Sequence, residues 1–311
     1  MYYIGIDVGG THIKAGLVSA EGEILKRDEV PTGARRPAEE IAATITALAK
    51  SLMADAQEEI GSIGIGLPGA VSDKTGEVIY TPNVNFERFP LRGVVEGECG
   101  IPVRLGNDAD CAALGEYSAL SEKVDNMILV TLGTGIGGGL ILGGKLYTGS
   151  NGIAGEIGHS MVCLGDRPCS CGRRGCWETY GSVTALIGDT RRFAEAHPES
   201  ALRKSLGENF ENLSGKSAFA LAKKGDAEAQ KIVDRWISYV AEGVTDLINI
   251  LQPSLLLIGG GVSREGEFLL APLRKRVEEK MYKSGVSVPQ IRGAAMGNDA
   301  GLIGAAFLGK D

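Results

Sequence analysis

Apolar residues near the N-terminus fall into short runs separated by glycine, and the same pattern returns later in the chain. A shift of 124 positions places Ile4 to Asp7 on Ile128 to Thr131, and Leu17-Val18 on Ile141-Leu142. Each copy predicts a strand, a turn with glycine and threonine, a second strand and a third extended piece. The repeat therefore predicts two related α/β halves in tandem.

Beyond these repeats, predicted strands and helices alternate, which is typical of an α/β protein. The strands cover Glu23 to Val30, Ser62 to Leu67, Val103 to Leu105 and Leu255 to Ile258, and the helices cover Pro37 to Ala54, Cys111 to Leu120, Ala218 to Lys224, Ala227 to Leu251 and Asp299 to Leu308. The last helix has small and apolar residues on one face, so we expect it to pack back on the N-terminal half.

The length and composition suit two domains that share a cleft. The chain has 311 residues, and 43% of them are hydrophobic, which is enough for two cores. We predict a first domain of residues 1–120 plus 297–311 and a second domain of residues 121–296. The net charge is −7 and the basic residues are dispersed, which argues against a nucleic-acid partner. The chain enters a strand at Tyr2 without a charged leader and has no stretch of about 18 apolar residues, so we expect a cytoplasmic protein with no membrane partner.

The two glycine turns are the first candidates for function. Glycine lets successive backbone N–H groups converge on an anion without a Cβ in the way. The turns Asp7-Val8-Gly9-Gly10-Thr11 and Thr131-Leu132-Gly133-Thr134-Gly135 could therefore hold the two ends of a triphosphate. The alternative is that both are ordinary hairpins with glycine at the bend. Two copies in register, each with a hydroxyl residue, favour phosphate binding.

Two other phosphate motifs are excluded. The segment Gly133 to Gly138 formally matches G-x-G-x-x-G, but a dinucleotide fold needs a helix after it, and Leu140 to Leu142 continues as a strand. No G-x-x-x-x-G-K-[ST] sequence occurs, so the chain has no P-loop.

A cluster of cysteines with one nearby histidine predicts a metal site. The residues of this cluster are His159, Cys169, Cys171 and Cys176. Three thiolates and an imidazole make a closed tetrahedral Zn²⁺ site of the structural kind, and Gly172 and Gly175 let the loop curl until the sulfurs converge. The alternatives are a disulfide, which is disfavoured in a cytoplasmic chain, and free thiols that cluster by chance. The other cysteines lack this spacing and are expected in the core or, for the last of them, at the surface: Cys99, Cys111 and Cys163.

Two glutamates lie close to this cluster in sequence. A ligating imidazole keeps its second ring nitrogen as an N–H that needs an acceptor. Glu156 precedes His159 by three residues, and Glu178 follows Cys176 by two. A bound metal would thus fix two carboxylates and an N–H beside one another, which suits a vicinal diol. The alternative, which the sequence alone favours, is that both glutamates are solvated loop charges.

Several further segments complete a pattern with the glycine turns: Leu67-Pro68-Gly69, Asn107-Asp108, Gly155-Glu156-Ile157-Gly158-His159, Cys169-x-Cys171-Gly172-x-x-Gly175-Cys176-x-Glu178 and Gly259-Gly260-Gly261-Val262-Ser263. Together they resemble the ROK family of sugar kinases and repressors, most closely its bacterial ATP-dependent glucokinases. The resemblance covers nearly the whole chain. It implies the actin-like and hexokinase-like ATPase fold, in which two domains, each with a five-stranded mixed sheet flanked by helices, close over substrate.

The resemblance also implies roles for individual residues in ATP-dependent phosphorylation of a hexose. Asp108 matches the catalytic base, although a residue at the head of a helix could equally be a plain N-cap. Sugar contacts are implied for Gly69, Asn107, Asp108, Glu156, His159 and Glu178. Nucleotide contacts are implied for Asp7, Gly9, Gly10, Thr11, Lys14, Gly133, Thr134, Gly135, Gly260 and Gly261, with Mg²⁺ at Asp7. The matching zinc ligands are His159, Cys169, Cys171 and Cys176.

The resemblance leaves three classes of function to compare. Among kinases, the Cys-x-Cys-Gly form of the zinc loop favours glucose over mannose, N-acetylglucosamine or N-acetylmannosamine. An actin-like or chaperone ATPase would hydrolyse ATP without a sugar. Repressors of the family carry an N-terminal helix-turn-helix, for which a strand beginning at Tyr2 leaves no room. Because relatives are commonly dimers, we also expect a homodimer.

Overall fold

The computed structural model describes residues 1–165, 167–282 and 287–310. The strands are β1 Tyr2–Val8, β2 His12–Ser19, β3 Ile24–Pro31, β4 Ile60–Leu67, β5 Ala70–Ser72, β6 Glu77–Tyr80, β7 Glu87–Phe89, β8 Val103–Asn107, β9 Met127–Leu132, β10 Ile136–Leu142, β11 Lys145–Leu146, β12 Leu255–Gly259 and β13 Gln290–Gly293. The helices are α1 Ala38–Asp55, α2 Leu91–Cys99, α3 Asp108–Ser118, α4 Glu178–Gly181, α5 Val183–Ala196, α6 Ala201–Ser205, α7 Ser217–Ala222, α8 Ala227–Leu251, α9 Glu267–Lys280 and α10 Ala300–Phe307. Short 3₁₀ segments cover Ile157–His159, Gly261–Glu265 and Gly297–Asp299.

The first sheet has the strand order β3-β2-β1-β4-β8. Strands β1, β2 and β3 form an antiparallel meander, whereas β4 pairs in parallel with both β1 and β8. Helix α1 supplies the crossover from β3 to β4, and α2 precedes β8. The apolar side chains of β1, at Ile4, Ile6 and Val8, are fully buried. The strands predicted for this half are confirmed to within a few residues.

The second sheet repeats this order as β11-β10-β9-β12-β13. Strands β10 and β11 are antiparallel, and β12 and β13 are parallel. Thus β9 corresponds to β1, β10 to β2 and β12 to β4. The predicted tandem of α/β halves is confirmed, and both sheets are mixed and five-stranded, as the resemblance implies.

A small antiparallel sheet follows β4, and the sequence pattern does not predict it. It consists of β5, β6 and β7. Each of these strands has only three or four residues, too few to show a clear alternation of polar and apolar positions. Val71, Val78 and Phe86 bury their side chains in the core that includes the first sheet and α1.

The last helix lies against α3 and the first sheet at contact distance. A Cβ on Gly64 of β4 would lie 1.7 Å from the carbonyl oxygen of Ala305, and a Cβ on Gly304 would lie 1.6 Å from that of Cys111 in α3. Main chain therefore touches main chain at both points, and only glycine fits. This confirms the prediction that the last helix packs on the N-terminal half.

A buried glutamate fixes the chain where it approaches α10. Glu116 of α3 is only 3% exposed. Its carboxylate oxygens accept hydrogen bonds from the main-chain N–H groups of Ala295, at 2.9 Å, and Met296, at 2.7 Å. These two donors compensate the buried carboxylate for its lost water contacts.

Helix α8 is the longest helix among the described residues. Its 25 residues begin after Asp226, whose side chain accepts a hydrogen bond from the Ala229 N–H, and Trp236, Val240 and Val244 lie on the buried face. Across the described parts of the chain, no helix combines the length and the apolar composition needed to span a bilayer.

The chain forms two compact units. Unit 1 comprises Met1–Leu129, Gly139–Gly155 and the residues from Ala295 on, and unit 2 comprises Val130–Gly138 and Glu156–Ala294. The domain boundaries at residues 120 and 297 stay a prediction from the sequence.

The contact between α10 and α3 can be tested with one methyl group. In Gly304→Ala the new methyl would overlap the Cys111 carbonyl, so α10 must move away from α3. Overpacking of this kind costs about 1–3 kcal/mol, and we expect a melting temperature several degrees lower. The control is Gly97→Ala in α2, where no atom lies within 4 Å of the new methyl and a gain of about 0.5–1 kcal/mol is expected. Equal melting temperatures for the two variants would contradict the packing described.

Candidate active site

Asp7 lies near the end of β1, opposite Lys14 on the paired strand β2. Burial raises the pKa of the Asp7 carboxyl above its usual value, and the positive charge of Lys14 offsets only part of this shift. Gly301 of α10 lies behind the carboxylate, since a Cβ there would lie 3.6 Å from a carboxylate oxygen. A carboxylate whose negative charge is incompletely compensated suits a hard divalent cation such as Mg²⁺.

Hydrogen bonds hold the first glycine turn in place. The Gly9 N–H donates to the His12 carbonyl at 2.9 Å. The Thr32 hydroxyl donates to the Gly9 carbonyl at 2.6 Å, and the Thr32 N–H donates to the Thr11 carbonyl at 2.8 Å. Gly10 and Thr11 are exposed. The sequence pattern did not single out Thr32, although its place directly after β3, the strand paired with β2, is a usable signal.

The parallel strands β4 and β8 bring Gly69 and Asn107 together. Leu67 and Asn107 are partners in the strand register, and the Asn107 side-chain N–H donates to the Gly69 carbonyl at 3.0 Å. Gly69 has a φ of 92°, and a Cβ there would lie 2.4 Å from the Tyr80 carbonyl oxygen. Glycine is therefore required at this position for both its backbone angle and its packing.

Asp108 is the first residue of α3, three residues before the predicted helix start. The N-cap is Asn107, whose side-chain oxygen accepts hydrogen bonds from the N–H groups of Ala109 and Asp110. Asp108 is exposed, and its carboxylate accepts a further hydrogen bond from the Ala109 N–H at 2.8 Å. The structure thus assigns the capping position to Asn107 and leaves Asp108 in the first turn of the helix.

The second glycine turn, Gly133 to Gly135, follows β9. The Gly133 N–H donates to the Gly135 carbonyl at 3.0 Å, and a Cβ on Gly133 would meet no atom within 4 Å. The space beside Gly133 is therefore open. Gly260 follows β12 with a φ of 85°, and a Cβ there would lie 2.0 Å from the Leu132 carbonyl oxygen. The Gly260-Gly261 segment thus lies beside the predicted phosphate turn.

The cysteine loop brings four ligand atoms together. The Nδ1 atom of His159 lies 3.5 Å from the Cys169 sulfur, and the sulfurs of Cys171 and Cys176 lie 3.6 Å apart. All four ligand atoms lie within 4.8 Å of one another. A tetrahedral zinc ion with Zn–S of about 2.3 Å and Zn–N of about 2.0 Å has edges of about 3.8 Å between sulfurs and about 3.5 Å between sulfur and nitrogen. The residues therefore fit the predicted zinc site.

The backbone and the thiol chemistry of the loop agree with this fit. Gly172 and Gly175 have left-handed φ angles of 87° and 82°, as predicted for a tightly curled loop. A main-chain hydrogen bond from Arg173 lowers the pKa of the Cys171 thiol, whereas burial raises the pKa of the Cys176 thiol to about 12. A thiolate at Cys176 therefore needs a nearby cation, which bound zinc would supply.

The remaining cysteines take no part in this cluster. All six cysteines are free thiols, so the loop contains no disulfide. Cys111 is buried in the core, as predicted, whereas Cys99 and Cys163 are partly exposed. For Cys163 this agrees with the predicted surface thiol.

The two glutamates flank the metal ligands differently. Glu156 lies with a carboxylate oxygen 3.8 Å from His159 Nε2, and its side chain is 51% exposed. Glu178 is partly buried, with one carboxylate oxygen 3.9 Å from the Cys169 sulfur and the other 3.2 Å from the Ile136 N–H. Glu178 is therefore not a solvated loop charge: it lies between the Cys169 sulfur and the second glycine turn, whereas Glu156 lies beside the imidazole.

The chain is similar to sugar kinases along nearly its whole length. The model described as the ROK family matches residues 3–311. The glucokinase of Halalkalibacterium halodurans is 38% identical over 314 residues, covering 99% of this chain and 95% of that protein. The N-acetylmannosamine kinase of Yersinia pseudotuberculosis is 30% identical over 308 residues, covering 99% and 98%. The crystal structure of a ROK family glucokinase from Streptomyces griseus, in complex with glucose and AMPPNP, has a TM-score of 0.83 and 38% identity, covering 99% of both chains.

The metal site can be tested by elemental analysis. We expect about one zinc per chain in the purified protein. Cys171→Ser removes an exposed ligand and should lower the zinc content several-fold together with the melting temperature. Cys163→Ser, which changes a cysteine outside the cluster, should keep the metal. A wild-type protein with far less than one zinc would contradict the four-ligand site.

The raised pKa of the Asp7 carboxyl predicts that replacing Asp7 with a neutral residue stabilises the protein, and that the gain depends on pH. The ionised Asp7 carboxylate destabilises the folded state because it is buried. This free-energy cost is absent below the ordinary carboxyl pKa and is complete once the pH has risen through the raised pKa. Asp7→Asn should therefore melt a few degrees higher than wild type at neutral pH, and the difference should disappear towards about pH 4. Glu23→Gln, at an exposed position, controls for the loss of one charge. A lower melting temperature for Asp7→Asn at neutral pH would contradict this sign.

Proposed function

Because this chain belongs to the ROK family, we propose that it transfers the γ-phosphoryl group of ATP to glucose and forms glucose 6-phosphate. The observation that carries this proposal is the match over nearly the full length to proteins named glucokinase, one of them crystallised with glucose and AMPPNP. The fold agrees with it, and so do the polar residues around Asn107 and around His159.

Asp108 is the proposed general base. Phosphoryl transfer needs a carboxylate that accepts the proton of the attacking hydroxyl. The Asp108 side chain is exposed, and the first turn of α3 favours its negative charge through the helix dipole. Since Asn107 provides the N-cap, helix capping does not by itself account for Asp108.

The sugar contacts come from two groups of residues. In unit 2, the carboxylates of Glu156 and Glu178 would accept hydrogen bonds from sugar hydroxyls, and His159 would add a ring N–H. In unit 1, we assign Gly69 and Asn107 to the same role. The hydrogen bond from Asn107 to the Gly69 carbonyl fixes both groups, while the second N–H of the Asn107 amide can still donate to a ligand.

The nucleotide contacts are assigned to the glycine turns. Gly9 to Thr11, with Lys14, and Gly133 to Gly135 would hold the phosphates through main-chain N–H groups and one ammonium. Asp7 is the residue that would hold Mg²⁺, and Mg²⁺ supplies charge neutralisation at the β and γ phosphates. We assign the Gly260-Gly261 segment, beside the second turn, to the adenosine side.

Zinc has a structural role in this proposal. Four protein ligands leave no open coordination position, so the metal shapes the loop that carries His159 and precedes Glu178. The cysteine ligands must stay reduced to bind zinc. We therefore propose a cytoplasmic location, where thiols are kept reduced. We also propose a homodimer and no nucleic-acid partner.

The main alternative is a kinase for another hexose or N-acetylhexosamine. The Yersinia pseudotuberculosis N-acetylmannosamine kinase matches the full chain at lower identity than the Halalkalibacterium halodurans glucokinase, 30% against 38%, which favours glucose. An actin-like ATPase without a sugar substrate is the more distant alternative, because the relatives described above are named as kinases of glucose or N-acetylmannosamine.

The base can be tested with Asp108→Asn. We expect turnover to fall by at least about a hundredfold, the typical contribution of a general base, while glucose binding stays within severalfold. Steady-state kinetics with a coupled ADP assay and calorimetric glucose titration give the two numbers. Asp125→Asn, an exposed aspartate in the same unit, is the control and should keep full activity. A near-normal kcat for Asp108→Asn would remove Asp108 from this role.

The substrate class can be tested with a hexose panel and a reaction without sugar. We expect the highest kcat/KM with glucose, and lower values with mannose, N-acetylglucosamine and N-acetylmannosamine. ATP hydrolysis without sugar should be weak, because the carboxylate contacts and the base are arranged for a sugar hydroxyl. Vigorous hydrolysis without any sugar would favour the ATPase class, and preference for an N-acetylhexosamine would change the substrate.

A further inference from the structure

The Glu178 carboxylate lies against the turn that is proposed to bind phosphate. One of its oxygens accepts a hydrogen bond from the Ile136 N–H at 3.2 Å, directly after the turn. The same oxygen would lie only 2.1 Å from a Cβ on Gly135, so it is seated on the Gly135 main chain. The other oxygen lies 3.9 Å from the Cys169 sulfur. One side chain therefore touches both the glycine turn and the metal cluster.

A second hydrogen bond connects the same segment to the other end of the turn. The Val183 N–H, five residues after Glu178, donates to the Gly133 carbonyl at 2.9 Å. The turn is thus held at Gly133 by the start of α5 and at Ile136 by the Glu178 carboxylate. Both contacts lie within unit 2. The residues 178–183, which we call the turn clamp, therefore determine how the turn is oriented.

The turn clamp is itself fixed at its beginning. It follows the metal ligand Cys176 and the fully buried Trp177. The Trp177 indole N–H donates to the Tyr239 carbonyl at 2.8 Å, and a Cβ on Gly243 would lie 2.2 Å from the indole ring. A side chain packed this tightly cannot shift without moving α8. The position of Glu178 is therefore set by the metal loop on one side and by the core on the other.

We propose that Glu178 is a positioning residue for the nucleotide turn, in addition to its proposed contact with the sugar. This inference rests on the proposed function of the same site. The carboxylate holds the Ile136 N–H and the Gly135 main chain, and so it sets the directions of the N–H groups that face phosphate. Loss of Glu178, or of the metal that orients its segment, weakens nucleotide binding even when no sugar is bound.

The test measures binding of Mg²⁺–AMPPNP by calorimetry in the absence of sugar. Glu178→Ala removes the acceptor and should raise the nucleotide Kd about tenfold, in line with the loss of one hydrogen bond to a charged group. Glu178→Gln keeps an acceptor oxygen and should stay within about threefold of wild type for the nucleotide, while its KM for glucose rises. This rescue by the conservative variant separates positioning from charge.

Glu156→Ala is the matched control. Glu156 also lies beside His159, but its carboxylate is directed to the imidazole, 3.8 Å away, and it has no hydrogen bond to the turn. The Glu156→Ala variant should raise the KM for glucose without changing the nucleotide Kd. Zinc content and melting temperature of each variant show whether the loop remains folded.

A double-mutant cycle provides a second test that does not depend on one variant. Gly135→Ala places a methyl group on the Glu178 carboxylate and should weaken nucleotide binding in the wild-type background. In the Glu178→Ala background the methyl meets no carboxylate, so its further effect on the nucleotide Kd should be several-fold smaller. Strictly additive effects would show that the two residues do not act on each other.

The outcomes distinguish this inference from the proposed function. An unchanged nucleotide Kd in Glu178→Ala, with wild type active on glucose, would overturn the positioning role and leave the kinase assignment intact. A wild type without phosphotransfer to any hexose, but with the expected Kd pattern, would overturn the kinase assignment and keep the positioning role.

Discussion

The convergence of three sulfurs and one imidazole on a single point is the constraint on which the candidate site residues of unit 2 depend. The loop that carries them is mostly exposed at residues 170–174, so it has little core of its own to hold its shape. A closed metal site would replace that missing core. Cys176 is followed directly by the buried Trp177 and then by Glu178, so two residues of chain connect the four-ligand cluster to a carboxylate beside the second glycine turn.

In unit 1, strand pairing and hydrogen bonds position Gly69, Asn107 and Asp108, without a metal cluster among its described residues. Strands β4 and β8 run parallel, so their carboxyl ends lie side by side, and the loop glycine Gly69 meets Asn107 there. Open α/β sheets commonly bind ligands at the carboxyl ends of their strands. Asn107 caps α3 and contacts Gly69, and this double use of one amide fixes the backbone that carries Asp108. Hydrogen bonding supplies here the rigidity that a bound metal would supply in unit 2.

Much of this arrangement was predictable from patterns that recur at fixed spacing. The shift of 124 positions predicted two related α/β halves, which agrees with the two sheets of like strand order, and the spacing of His159 and the three cysteines predicted one metal cluster. Individual hydrogen bonds between residues distant in sequence were not predictable. Nothing near Glu178 in the sequence indicates the Ile136 N–H, and nothing near Gly9 indicates Thr32. The sheet β5-β6-β7 was missed because strands of three or four residues are too short to show a period. The start of α3 was misplaced because Asp108 and Asp110 resemble loop residues.

The packing of α10 has a consequence for the order of folding during synthesis. Gly64 of β4 lies against the Ala305 main chain of α10 within unit 1, but all of unit 2 lies between these two residues in the chain. A ribosome therefore finishes unit 2 before it delivers the helix that covers the first sheet. Until then the nascent first sheet presents bare glycine and apolar surface, an exposure that favours chaperone capture. Unit 2 needs no such late segment, which makes it the part of the nascent protein that can reach its final packing first.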